Sequence, residues 1–161
     1  MLRYNAHRDE FEVKDGDKVQ YLVRTPNISC ELGGFKYMFV NYTPAKKEPR
    51  NGYLKILFAA PDFVIYENEE KEFKEGKEAT TSLTGSWPAK FADLKAYYFK
   101  SMDAESATMI TKKSTPFLKA TSEEQQEVMS KYAKKGKVNF TKPEDLVRFY
   151  SHYNAEILGN K

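Results

Sequence analysis

The sequence predicts an α+β fold: an antiparallel sheet or small open β-barrel in the N-terminal half, followed by about three helices packed against or beside it. Three observations predict it. Up to Gly85, apolar residues alternate with polar ones, the period of a half-buried strand. After Gly85 they recur three and four residues apart, the period of a helix face. The connections between the alternating runs are too short for crossover helices, so neighbouring strands run antiparallel. The 161 residues read as one α+β domain, mainly β over 10–83 and mainly helical over 86–161.

The first element is a hairpin. Phe11 and Val13 on one side, and Val19, Tyr21 and Val23 on the other, alternate with polar residues around Asp15-Gly16-Asp17. Pro26 ends its second strand, and Asn27–Gly34, with Gly33-Gly34, reads as irregular. Phe35, Tyr37 and Phe39 share one face of the next strand, which ends near Tyr42, while Met38 and Val40 hold the other. A polar loop, Thr43–Gly52, carries Lys46, Lys47 and Arg50 and closes on a turn at Asn51-Gly52. Tyr53–Phe58 is the strongest strand signal, and Asp62–Tyr66 follows across Ala59-Ala60-Pro61. The acidic stretch 67–78 has Phe73 as its one large apolar residue and reads as a solvated hairpin tip or a mobile loop. Ala79–Leu83 returns as a strand.

Helical readings then take over. Ser86 caps a helix at about 88–101, entered through Trp87-Pro88, with Phe91, Leu94, Tyr98 and Met102 on one stripe. A short strand at about 106–111 interrupts before Pro116. Ser122 and Gln125 have capping-box spacing for a helix at 122–135, with Glu124, Val128 and Tyr132 on one face and Lys134-Lys135-Gly136 at its end. Thr141-Lys142-Pro143-Glu144 opens a last helix at 142–158, with Thr141 as cap and Pro143 in the first turn. Its buried stripe is Leu146, Phe149 or Tyr150, Tyr153 and Ile157, and Gly159 ends it. Across the chain Phe39, Leu54, Ile56, Phe63, Leu94, Tyr98, Phe149 and Tyr153 are the expected core.

Composition supports a folded chain with a modest core. Leu, Ile, Val and Phe supply only 34 residues, so the 11 tyrosines must help to fill it. No apolar run reaches the length of a membrane span, and no signal-peptide core follows Met1. The single cysteine, Cys30, excludes an internal disulfide and a thiolate zinc cluster. The expected location is intracellular and cytoplasmic, with a nuclear or host-cell location left open. The net charge of +3 is unevenly distributed: +2 over 1–66, −3 over 67–78 and +4 over 79–161.

Catalytic motifs are missing. There is no G-x-G-x-x-G, no Walker loop and no G-x-S-x-G elbow. His7 stands near Asp9 and Glu10, and His152 four residues before Glu156, but two ligands do not make a metal site. Cys30 has no local base to activate it. The expectation is no catalytic residue, no metal and no cofactor.

Binding has more material. Rings beside cations suit single-stranded DNA or RNA, because cations attract phosphates while aromatic faces stack on bases. In this reading, a non-catalytic nucleic-acid-binding accessory protein, the phosphate contacts are Lys46, Lys47, Arg50, Lys131, Lys134, Lys135, Lys137 and Lys142. Its stacking rings are Tyr42, Tyr53 and Trp87. The alternative is a protein-binding inhibitor, immunity or adaptor module acting through Glu67, Glu69, Glu70, Glu72 and Glu75. A small enzyme of unknown class is the second alternative.

Overall fold

In the computed structural model, which describes residues 1–26, 28–45, 48–79, 85–111 and 121–158, the first hairpin closes where the alternation predicts it. Strands β2 (Glu10–Asp15) and β3 (Lys18–Tyr21) flank a two-residue turn. Gly16 takes φ +59° in its first central position, where a type II′ turn requires glycine. Strand β1 (Leu2–Asn5) pairs on the other side of β2, giving a three-stranded antiparallel sheet. Phe11 is fully buried and stacks on Tyr4 with ring centroids 4.7 Å apart.

A second sheet of six strands holds β4 (Ser29–Leu32), β5 (Phe35–Thr43), β6 (Arg50–Ala59), β7 (Phe63–Lys74), β8 (Lys90–Ser101) and β9 (Ala107–Met109), in that order. It is mixed, because β9 also pairs in parallel with Tyr42 and Thr43 at the end of β5. The helices among the described residues are α1 (Glu123–Lys135) and α2 (Pro143–Tyr153), the latter running into a π-helical turn over Asn154–Leu158. The fold is therefore α+β, with a mixed sheet and two helices among the described residues. The chain divides into two compact units: Met1–Val23 with Glu69–Lys95, and Arg24–Asn68 with Ala96–Lys161.

In the second unit both faces of the sheet are buried. Val40, Tyr42, Leu54, Val64, Tyr66, Tyr98 and Ala107 pack on one face. On the other, Phe63, Ile65, Tyr97, Phe99 and Ile110 meet Met129 of α1 and Leu146, Phe149, Tyr150 and Tyr153 of α2. Successive residues of β7 and β8 thus alternate between two cores, which accounts for the contiguous apolar residues Phe63–Tyr66 and Tyr97–Phe99. Burying each ring fully contributes roughly 1.5–3 kcal/mol.

The largest departure from the sequence reading is β8, where a helix is expected. Of its supposed stripe only Tyr98 is buried, whereas Phe91, Leu94 and Met102 are exposed. The helix-forming residues of 90–101 are overridden by pairing in the sheet and by burial of Tyr97, Tyr98 and Phe99 on two faces. The expected acidic loop is likewise mostly strand: β7 continues to Lys74, and Lys77 and Trp87 exchange backbone hydrogen bonds of 2.9 Å. Asn51 and Gly52 lie within β6 opposite Asn41 and Val40 rather than in a turn. Ile56 is half-buried and Leu94 exposed, whereas the other six expected core residues are buried. The strand expected at 79–83 falls almost wholly outside the described residues.

Local signals for the helices hold at one end and shift at the other. Ser122 and Gln125 form both halves of the capping box. Met129, rather than Val128, carries α1 into the core. The N-cap of α2 is Lys142, without a side-chain cap, and Thr141 bonds Asn139 Oδ1 through both its N–H and its hydroxyl.

Candidate functional site

The turn that joins α1 to α2 is built by an interlocking set of hydrogen bonds. Val138 N–H donates to the carbonyl of Ala133, and Lys137 N–H to that of Lys134. This is the paired pattern of a Schellman motif, in which the residue after the cap adopts a left-handed conformation. Here the glycine is one position early. Gly136 is right-handed (φ −80°), and Lys137 takes φ +47°. Val138, next in sequence, packs with Ala133 on the core, which fixes the exit direction.

The second half of the turn is tied to α2. Asn139 N–H donates to Asp145 Oδ2 at 2.9 Å. Arg148 Nη2 donates both to Asp145 Oδ1 at 2.9 Å and to the carbonyl of Gly136 at 3.2 Å. One guanidinium therefore holds the end of α1 to the first turn of α2. Four lysines project from this ordered corner: Lys134, Lys135, Lys137 and Lys142 are all exposed and make no ion pair among the described residues. Lys131, one turn earlier, is exposed but paired with Glu127 at 2.7 Å, which holds that carboxyl below its usual range.

The left-handed Lys137 gives a direct test of the corner. Glycine adopts this conformation without the steric penalty of a Cβ. Lys137→Gly is expected to stabilise the protein by roughly 0.5–1 kcal/mol, a rise in Tm of about 1–4 °C by thermal denaturation. A lower Tm would show that the turn is not held as described.

The remaining candidates from the sequence fare differently. Tyr42 and Tyr53 are core rings: Tyr42 packs edge-on to Tyr98 at 5.0 Å, and Tyr53, 1% exposed, packs against Phe39 at 5.2 Å. Neither offers a face to a ligand. A chain short of Leu, Ile and Val has recruited its tyrosines to fill the sheet. Arg50 is exposed at the start of β6, and Lys46 and Lys47 lie outside the described residues. Trp87 is 66% exposed, in the other unit.

Glu67 is 2% exposed and forms a buried ion pair with Lys55, opposite it on β6, so it is no docking acid. Sequence reading missed this pair because its two members are distant in sequence and meet only through the register. Glu69 and Glu70 are half-buried, whereas Glu72 and Glu75 are exposed.

No catalytic constellation assembles among the described residues. Burial pushes the Cys30 thiol up to about 11, so it stays protonated at neutral pH and is a poor nucleophile. The His152 ring lies flat on Tyr132 at 3.8 Å, a packing role. His7 donates from Nδ1 to the carbonyl of Lys71 at 3.0 Å, and its ring meets the edge of Phe91. The cleft there, about 320 Å³, is lined by Arg3, Tyr4, Asn5, His7, Lys71 and Phe91. Its two permanent cations are already neutralised, Arg3 by Glu12 and Lys71 by Asp93. No group of three or more His, Cys, Asp or Glu side chains could hold a metal, and no helix is long and apolar enough to cross a membrane, both among the described residues. No protein-family model matches the chain, and comparison with curated proteins and with solved structures finds no similar protein.

Proposed function

We propose that the chain is a non-catalytic nucleic-acid-binding accessory protein that grips the phosphate backbone through the corner between α1 and α2. The observation that carries this reading is the set of four exposed lysines, Lys134, Lys135, Lys137 and Lys142, with no ion-pair partner among the described residues. Cations released from internal pairing are free to displace the counterions of a polyanion. Their turn is held by Arg148 and Asp145, so presenting them requires little ordering of the backbone. Charge follows the same division. The unit that holds the corner carries 17 basic and 12 acidic side chains, net +5, and the other 9 and 11, net −2.

The pairings of the second unit support a finer reading of the scaffold. They run from β5 through β6, β7, β8 and β9 and return to the end of β5. A ring of paired strands is the pattern of a small open barrel, with Leu54, Tyr66 and Tyr98 as its interior. With Tyr42 and Tyr53 in the core, recognition rests on phosphates rather than on stacked bases, so single strands and duplex are both bound and sequence matters little. The protein-docking alternative through the acidic stretch has less support, since Glu67 is buried in an ion pair and Glu69 and Glu70 are half-buried.

The test is fluorescence anisotropy of labelled single-stranded and duplex oligonucleotides at low salt. It compares the wild type with K134Q/K135Q/K137Q/K142Q. Neutralising four phosphate contacts is expected to weaken binding at least tenfold on every ligand, with the fold unchanged by circular dichroism. Equal affinity of the two proteins would remove the corner from the account.

A further inference from the structure

The outer strand of the three-stranded sheet has an open edge. β3 pairs with β2 and with no other strand among the described residues, and all four of its residues are exposed. In an antiparallel hairpin closed by a two-residue turn, hydrogen-bonded pairs alternate with non-bonded ones. Asp15–Lys18 closes the turn, Val13–Gln20 is the next bonded pair, and Leu22 N–H donates to the carbonyl of Phe11 at 3.0 Å. On the other side Lys14 turns its backbone to β1, exchanging bonds of 2.8 Å and 2.7 Å with Met1. The backbone groups of Val19 and Tyr21 therefore point away from β2, to the open edge. No hydrogen bond takes them up among the described residues.

The side chains of the same two residues are apolar and exposed, Val19 by 50% and Tyr21 by 54%. They belong to a wider pattern. Of the eleven exposed large hydrophobic residues among those described, eight lie in the unit formed by Met1–Val23 and Glu69–Lys95. Natural edge strands are usually blunted by prolines, bulges or inward charges. β3 has no proline, pairs with β2 in unbroken register, and carries one charge, Lys18, at its turn end.

We propose that this edge pairs with β3 of a second copy of the chain, antiparallel about a two-fold axis at Gln20, so that two three-stranded sheets become one of six strands. The register follows from the outward-facing groups. Val19 must stand opposite Tyr21 of the second copy, and Tyr21 opposite Val19, each pair exchanging two backbone hydrogen bonds. Both outward residues of β3 are then satisfied within its four-residue length. An aromatic ring faces a β-branched side chain in each pair, a favourable cross-strand combination. Lys18 falls opposite Leu22, and the neutral Gln20 opposite itself, so the self-pairing sets no like charges against each other. This self-complementarity is what singles out a second copy over another extended segment.

The test uses the full chain. Sedimentation velocity from about 1 to about 200 µM is expected to show a concentration-dependent dimer, as mass action requires of a self-pairing edge. V19K/Y21K, at two exposed positions, sets lysines opposite one another and is expected to raise the dimer dissociation constant by at least ~30-fold. Register is read separately in a C30S background. Gln20 faces itself in a non-bonded pair with Cα atoms about 4.5 Å apart, within disulfide reach, so Q20C should cross-link on mild oxidation and V19C should not. A monomer at every concentration overturns the proposal. So does a dimer that persists in V19K/Y21K, or one in which Q20C fails to cross-link.

Discussion

Phe63→Ala is expected to destabilise the protein by about 3–5 kcal/mol, as for other large aromatic truncations in a core. The side chain is 2% exposed and occupies the centre of an aromatic cluster. Its ring centroid lies 5.9 Å from Phe58, 5.5 Å from Phe99, 5.4 Å from Tyr150 and 5.8 Å from Tyr153. Removing it leaves a cavity between the sheet and α2 that rings on separate elements cannot close by small shifts, and each lost ring pair adds to the transfer term. Chemical denaturation would show the midpoint falling with little change in the denaturant slope. A loss under about 1 kcal/mol would mean that the helix does not seal this face of the sheet.

The second large effect concerns the ion pair between Lys55 and Glu67. Lys55 is 8% exposed, its Nζ is paired with the carboxylate of Glu67, and it lies 4.7 Å from the centroid of the Phe35 ring. Removing one member strands a desolvated charge. Glu67→Leu or Lys55→Met alone is therefore expected to cost about 3–5 kcal/mol. Replacing both removes the two desolvation penalties together, so the double variant should be clearly more stable than either single one. The four denaturation curves form a double-mutant cycle. Additive losses would show that the two side chains do not depend on each other in the folded protein.

These two cases also mark what the sequence reveals. Phe63 is legible because β7 opens with an unbroken apolar run, Phe63–Tyr66, bounded by Pro61 and the charges that follow. The capping box at Ser122 is legible because its donors and acceptors lie three residues apart. Glu67 is not, since a carboxylate at the start of an acidic stretch reads as solvated, and only the register across β6 and β7 brings Lys55 to it. The same limit applies to β8. Phe91, Leu94 and Tyr98 stand at helical spacing, and nothing local announces that β7 provides a pairing edge beside them.

The aromatic residues carry the clearest lesson for the site. Eight of the eleven tyrosines are buried, so a pattern of rings beside lysines is here the signature of a tyrosine-built core. What the proposal keeps of the sequence-derived residues is the lysine stretch of the α1–α2 corner, because a run of lysines with no acid between them can be read without tertiary information. Its ordering does need it: Arg148, outside the sequence-derived set, is the group that ties the turn to α2.

The claim that the corner binds phosphates is tested most directly by the salt dependence of oligonucleotide affinity. Each neutralised phosphate releases condensed counterions, so four lysine contacts predict that log affinity falls with log salt at a slope of roughly 3–4. In K134Q/K135Q/K137Q/K142Q the slope should collapse toward zero, while V19K/Y21K, on the other unit, keeps the wild-type number of phosphate contacts in each corner. The account is contradicted if the wild type binds neither single strands nor duplex at low salt, or if its slope is the same as that of the four-lysine variant.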